Sequence, residues 1–525
     1  MLQLLLGGSG SGKTTLLYQR IRARAEKGEK SILLVPEQFT SSTEGRIYRE
    51  LGDALSGMVE SFSFTSLAEK ILSTEGGAAV QTLSDAGRAV LVRRALEELQ
   101  DNVHYYHRHR RSAAFCQMAA QTIDELKSAG LSGQQLAQLA GACGAESGKL
   151  SELALIFQGY ETLLARSGMD PSDRLELAGA RLEEALARHS LPEFLRDRAV
   201  FIDEFDTFNA PKKRLLGAML AALPSVTVAL CDDGAPLLPG DLSLFSGAKQ
   251  VAAQLRQLAR KNGAEVAVPQ LLRKDLRHRN APGLAAVAEL LETGSCTADA
   301  PAGEVRLFAA PSREEEARAA AGAIRRLMRQ GVRCGKIAVV CRDIAKYRAA
   351  VRYEFRMAEI PLYCDEPTTP EFSAPATAVR ALLEIARGAD LTENLTTLAK
   401  TGLCALSEEQ VCALENYAYT WAPTAAAWRE KFERSPKGFG EQELTEEDLR
   451  NRERAEHARA LLVGAVDAFR AKVRGVNAEA ISRAVYFCLK TLGAEEQQAA
   501  QVKAIRAGRG IPAAEEAARE WNVVM

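Results

Sequence analysis

The sequence predicts a helix-rich α/β protein with parallel sheets, arranged as two α/β units that each carry a large all-helical insertion. Three observations predict it. Apolar runs of strand length recur between helix-length segments, the pattern of parallel βαβ units. The first run passes through a glycine-rich turn directly into a helix. Two long stretches, 84–189 and 374–525, show apolar positions at helical spacing with few strand signals. A chain of 525 residues exceeds what one hydrophobic core supports, so several units are expected. Hydrophobic content of 47%, charged content of 26% and a net charge of -1 exclude a disordered chain and a globally basic nucleic-acid binder, so any nucleic-acid contact is local. The ten cysteines include no C-x-x-C pair and read as reduced thiols. No run approaches the length of a membrane helix, and Leu2 to Leu6 is too short for a signal peptide, so no membrane partner and a cytoplasmic location are expected.

The first strand is Leu2 to Leu6, and the turn after it runs Gly7, Gly8, Ser9, Gly10, Ser11, Gly12, Lys13, Thr14, Thr15. This is a G-x-x-x-x-G-K-T signature. The glycines free the backbone to curl around an anion, Lys13 supplies a positive charge, and the Thr14 hydroxyl suits a magnesium ion, with phosphates at the helix N-terminus. A nucleoside triphosphate is the expected ligand. The helix from about Lys13 to Ala25 leads to a second buried strand, Lys30 to Val35, which delivers Pro36, Glu37, Gln38, Phe39 and Thr40 to the ligand-binding edge of a parallel sheet. Met58 to Phe64 reads as a third strand, followed by a helix through Leu72.

The first helical insertion, 84–189, contains His104-Tyr105-Tyr106-His107-Arg108-His109-Arg110-Arg111, with three of the six histidines of the chain. Three readings stand. A metal site lacks a suitable carboxylate other than Asp101. A nucleic-acid contact offers Arg108, Arg110 and Arg111 for phosphates and tyrosines for stacking. A solvated basic loop between helices needs neither.

Strand Arg198 to Ile202 then ends in Asp203-Glu204. Opposite a phosphate loop, such a pair gives one carboxylate to hold the magnesium ion, Asp203, and one to orient or deprotonate a water, Glu204. A helix (Pro211 to Leu223), a strand (Val226 to Leu230) and a helix (Leu244 to Lys261) follow, and 190–300 completes the first α/β unit begun by 1–83. Pro282 to Gly303 reads as a connection. The second α/β unit, 301–373, is expected to hold strands at Glu304 to Phe308, Lys336 to Val340 and Ile360 to Asp365, with a helix from Ser312 to Arg329 whose Glu314, Glu315 and Glu316 suit its N-terminal dipole. The helical stretch 374–525 follows.

The order of phosphate loop, V-P-E-Q strand end, S-F-S-F-x-x-L-A, helical insertion, F-I-D-E-F-x-x-F, and I-A-V-V-C-R-D before I-P-L-Y-x-D resembles the B subunit of AddAB-type (RexAB-type) helicase-nucleases. Leu414-Glu415-Asn416-Tyr417 and Trp428 fit the same family. The resemblance implies two RecA-like lobes of the superfamily 1 helicase type in a heterodimer with a motor A subunit. That complex processes duplex DNA ends and single strands for recombinational repair. It also implies ATP and Mg2+ at Lys13, Thr14, Asp203 and Glu204, Arg342 on the nucleotide from the second lobe, and Glu37 and Gln38 near the DNA. Two departures accompany it. The loop begins too near the N-terminus for an upstream adenine-reading glutamine. The family's nuclease domain and iron-sulfur cysteines belong to a C-terminal region with no counterpart before Met525. The chain is therefore expected to look truncated, to lack nuclease activity, and to bind ATP with little or no turnover. The alternative is an autonomous ATP-dependent translocase.

Overall fold

The computed structural model describes residues 1–76, 82–142, 144, 147–295, 304–364, 370–389, 391–440 and 443–525. They form two compact units, Met1–Phe308 and Ala309–Met525.

The first unit opens with β1 (Leu2–Gly7), α1 (Lys13–Ala25), β2 (Ser31–Leu34), α2 (Thr40–Leu51), the single turn α3 (Asp53–Ser56), β3 (Val59–Phe62) and α4 (Phe64–Glu75). Five helices interrupt the sheet here: α5 (Asp85–Glu98), α6 (Ala113–Ser128), α7 (Gly133–Ala140), α8 (Ser147–Ser167) and α9 (Pro171–Ala187). The sheet resumes with β4 (Ala199–Ile202), α10 (Ala210–Ala222), β5 (Ser225–Cys231), α11 (Ser246–Lys261), β6 (Gln270–Leu272) and α12 (Pro282–Thr293). The six strands pair in the order β3-β2-β4-β5-β1-β6, and every pair is parallel.

Burial on both faces explains why these strands are continuous apolar runs. Leu2, Leu4, Leu6, Ile32, Leu34, Val200, Ile202, Val226 and Val228 point to one face, under α4, α9, α10 and α11. The alternate residues Leu5, Leu33, Phe201 and Ala229 point to the other, under α1 and α2. Short polar residues start the covering helices: Ser63 makes a reciprocal capping box with Ser66, and Asn209 accepts from the Lys212 N–H. The inserted helices α5, α6, α7 and α8 share a core of their own that includes Val92, Ile123, Leu136 and Phe157. Helix α9 instead gives Leu175, Ala178 and Leu182 to the core of the sheet. A buried polar knot ties these helices: Lys127 on α6 lies 2.8 Å from Asp170 and 2.7 Å from Asp173, and the Tyr160 hydroxyl donates to Asp170 at 2.6 Å.

Elements of this unit that the sequence expectation lacked include α2, β6 and α12. Strand β6 pairs through Leu5↔Gln270 to Gly7↔Leu272 and is too short for periodicity to reveal. The stretch read as a connection from Pro282 contains α12. Its Pro282 stands at the first turn and Gly294 beyond the last turn adopts φ 77°, the proline and glycine signals of a helix start and stop.

The second unit is helical among the described residues: α13 (Arg313–Arg329), α14 (Ile344–Met357), α15 (Ala374–Ala386), α16 (Leu391–Lys400), α17 (Glu408–Trp421), α18 (Glu446–Lys472), α19 (Ala478–Thr491), α20 (Ala494–Arg509) and α21 (Ile511–Val524). The strands expected at Glu304 to Phe308, Lys336 to Val340 and Ile360 to Cys364 are not formed, and Asp365 lies outside the described residues. A strand is a property of a pair. These segments make no ladder, and Leu307, Val340 and Tyr363 project into solvent where a sheet would bury them.

Candidate functional site

The C-terminal ends of β1 and β4 frame a cleft of about 490 Å³ in the first unit. Strand β5 lies between them, so the phosphate loop and Asp203 start from strands roughly 10 Å apart. Side chains close that gap: Thr14 and Asp203 line the same cleft, and the Thr14 hydroxyl favours the ionised Asp203 carboxyl. The loop is shaped by glycines at left-handed angles, φ 77° at Gly10 and 91° at Gly12. At Gly10 a Cβ would also sit 2.6 Å from the Arg277 Cβ, so no other residue fits. The Lys13 ammonium donates to the carbonyls of Gly7 at 2.7 Å and Gly8 at 2.8 Å, which holds it at the mouth of the loop. Ser11 is buried, and its Oγ has no hydrogen-bond partner among the described residues.

Asp203 is 6% exposed, and burial pushes its carboxyl above the usual range against the opposing influence of the Thr14 hydroxyl, the Glu204 N–H, and the cations Arg46 and Lys13. Glu204 is raised by burial and by the neighbouring Asp203, with Arg46 opposing. Its backbone adopts φ 65°, a strained conformation for a residue with a Cβ, and its N–H donates to Asp203 Oδ1 at 3.1 Å. Strain of this kind at a strand end is common where a side chain must be aimed at a ligand.

Ser9, Gly10, Gly12, Lys13, Thr14, Thr15, Asp203 and Glu204 line the cleft together, while Gly7, Gly8 and Ser11 form the turn beneath. Arg342 belongs to the second unit. Two cations that the sequence reading missed do line it, Arg46 and Arg277. Arg46, on α2, stacks its guanidinium 5.0 Å from the ring centroid of Tyr18, and burial pushes that tyrosine up to about 12. Arg277 follows β6; its guanidinium donates to Ser9 Oγ at 3.2 Å, and the Leu276 N–H donates to the Gly10 carbonyl at 3.0 Å. The basic run Arg273 to Arg279 was the only sequence signal for it.

Glu37 and Gln38 are exposed on a short 3-10 turn after β2, at the same edge of the sheet. The Thr65 hydroxyl donates to Glu37 at 2.9 Å. Burial works against ionisation of Glu37, but its own N–H, Thr65 and Lys212 outweigh it and hold the carboxyl low. Arg108, Arg110 and Arg111 lie on the insertion, apart from the cleft. Among the described residues no group of three or more His, Cys, Asp or Glu side chains could hold a metal ion. No described helix is long and apolar enough to cross a membrane.

The family described as ADDB, N-terminal matches residues 4–288. The chain is similar to proteins named as the B subunit of an ATP-dependent helicase/deoxyribonuclease. The relative in Desulforudis audaxviator is 32% identical over 446 residues, covering 81% of this chain and 37% of the relative. Those in Symbiobacterium thermophilum and Moorella thermoacetica are 31% and 29% identical, covering 82% and 100% of this chain and 38% and 46% of the relatives. The chain thus spans less than half the length of the curated relatives it matches.

Proposed function

The chain belongs to the family described as ADDB, N-terminal, and from that premise we propose that it is the nucleotide-binding N-terminal part of the B subunit of an ATP-dependent helicase/deoxyribonuclease. In this reading it works beside a motor A subunit on duplex DNA ends and single strands during recombinational repair in the cytoplasm. The names of the relatives support the subunit role, and the cleft supports the nucleotide.

One observation carries the nucleotide reading: Thr14 and Asp203, two hard oxygen donors that follow strands which are not neighbours, line one cleft beside Lys13. That donor set fits magnesium held with phosphate. Thr14 and Asp203 would hold the metal, and the loop amides with Lys13 would cradle the phosphates. Bound magnesium would supply positive charge to the phosphate oxygens. Glu204, whose carboxyl burial makes more basic, would orient a water and accept its proton. Glu37, Gln38, Arg108, Arg110 and Arg111 are the proposed DNA contacts.

Calorimetric titration of ATP with magnesium into the chain and into Lys13→Ala tests the reading. Loss of binding in the variant, with its circular dichroism unchanged, is the expected result. Equal affinity would remove the phosphate loop from the mechanism.

A second reading, turnover by this chain without its partner, is favoured by Arg46 and Arg277. Both bring positive charge to the cleft from the first unit itself, and cations at a transferring phosphoryl group stabilise its transition state.

A further inference from the structure

We infer that the loop from Val103 to Ser112, with the first turn of α6, is a stacking platform for single-stranded nucleic acid, held in shape by Glu152. The inference rests on the reading of the chain as a DNA-contacting subunit and assigns that contact a place and a geometry.

The loop is built, not merely solvated. Glu152 reaches from α8 and accepts from three consecutive backbone amides: His104 at 2.8 Å, Tyr105 at 2.8 Å to either oxygen, and Tyr106 at 3.2 Å. Successive N–H groups facing one anion fix a concave turn, and bonds to a carboxylate are about twice as strong as neutral ones. Val103, just before the turn, is buried in the core of the insertion. Glu152 turns its oxygens to the backbone and, among the described residues, makes no ion pair with the arginines that follow.

What the turn presents is a row of rings. Tyr105 meets Tyr106 edge-on with centroids 5.0 Å apart, Tyr106 lies over Phe115 at 5.2 Å, and His109 over Phe115 at 5.8 Å. The outermost ring, Tyr105, is 62% exposed although the apolar insertion core lies next to it. Among the described residues Arg108, Arg110 and Arg111 make no ion pair with a carboxylate. On the same insertion Arg88, Arg93, Arg94 and Arg181 all do. An exposed ring seated on other rings, next to uncompensated guanidinium groups, matches the two chemistries of an unpaired strand: base faces that stack and phosphates that need cations. A duplex hides its base faces, so single strands are the favoured ligand.

Anisotropy of a labelled oligothymidylate titrated with the chain, over a range of salt, separates these contributions. Tyr105→Ala is expected to weaken binding about tenfold with an unchanged salt slope, and Tyr105→Phe to restore it. Replacing Arg108, Arg110 and Arg111 by alanine is expected to flatten the slope by up to about two units, since each single-strand phosphate contact contributes roughly 0.7. Glu152→Ala decides between the platform and a plain basic patch. Deleting a negative charge strengthens binding to a basic patch, whereas the platform loses its shape and binds several-fold more weakly. Tighter or unchanged binding by Glu152→Ala, or no effect of Tyr105→Ala, overturns the platform while leaving the DNA-binding reading intact. If the unsubstituted chain binds no oligonucleotide, the DNA-binding reading falls, and the platform with it.

Discussion

Arg46 and Glu204 show how single side chains set the chemistry of the cleft. Tyr18 is buried and fixed on α1, so its ring face holds the Arg46 guanidinium, which lines the cleft with the two acids, at little entropic cost. Arg46 opposes the raised carboxyls of both Asp203 and Glu204, so its charge reaches the acid proposed to act beside the terminal phosphate. Arg46→Ala is therefore expected to weaken ATP binding about tenfold, the worth of one charge-assisted hydrogen bond, and to change ADP binding much less. Competition calorimetry reads the ratio, and parallel loss for both nucleotides would place Arg46 elsewhere. Glu204 offers a complementary test through its backbone. Glycine adopts φ 65° without strain, so Glu204→Gly is expected to stabilise the first unit by about 1 kcal/mol in urea unfolding while abolishing any turnover. A destabilised variant would mean that the carboxylate contributes more than its strained backbone costs.

At the scale of elements, helix α18 shows what holds the second unit together. Its Arg459 is buried, donates to the Trp428 carbonyl at 3.0 Å, and is clamped by Glu456 through Nε at 2.7 Å and Nη2 at 2.6 Å. Glu456 also accepts from the Phe432 N–H at 2.8 Å, which pins the turn between α17 and α18. Burial works to raise the Glu456 carboxyl, but these bonds win and hold it below the ordinary 4.5. A lowered acid contributes stability that is present above its unfolded value and lost as pH falls through its folded one. Melting of the second unit is accordingly expected to drop as pH falls below about 4.5, and Glu456→Gln to lose about 2 kcal/mol at neutral pH and to flatten that acid limb. Thermal melts across pH check both, and an unchanged acid limb would show that other carboxylates dominate. The same scale explains which elements were legible beforehand. Helix α13 announces itself by Ser312 at its start and three glutamates in its first turn. The segments at Lys336 to Val340 and Ile360 to Cys364 carry equally good strand composition, yet composition supplies no partner.

The whole molecule divides at Phe308, and each unit has hydrophobic clusters of its own. Scanning calorimetry is expected to show two transitions, and ATP with magnesium to raise only the first unit's, by on the order of 5 °C at a hundredfold excess over Kd. A single transition moved as a whole would instead report one cooperative unit. Turnover tests the assembly more directly. We expect the chain alone to release phosphate slowly even with saturating single-stranded DNA, because ground-state binding needs only the groups of one unit while transition-state charge needs every cation placed at once. Phosphate release near about ten per second, the enzyme median, would show that Arg46 and Arg277 complete the site without a partner.

The sequence by itself determined whatever is encoded within one turn or one strand. The phosphate loop, the apolar runs of β1, β2, β4 and β5, the acids that end β4, and the helical character of both insertions all follow from residues adjacent in the chain. Local chemistry limits the backbone there so strongly that no distant contact is needed to read it. Tertiary structure alone decided the convergences: Thr14 with Asp203 across an intervening strand, Arg46 on Tyr18, Arg277 on a loop 268 residues upstream at Ser9, and Glu152 beneath the amides of His104 to Tyr106. It also left the expected strands of the second α/β unit without ladders. In each case the determining interaction joins residues far apart in sequence, and neither hydrophobic period nor motif spacing carries that information; only the packing of the folded chain fixes it.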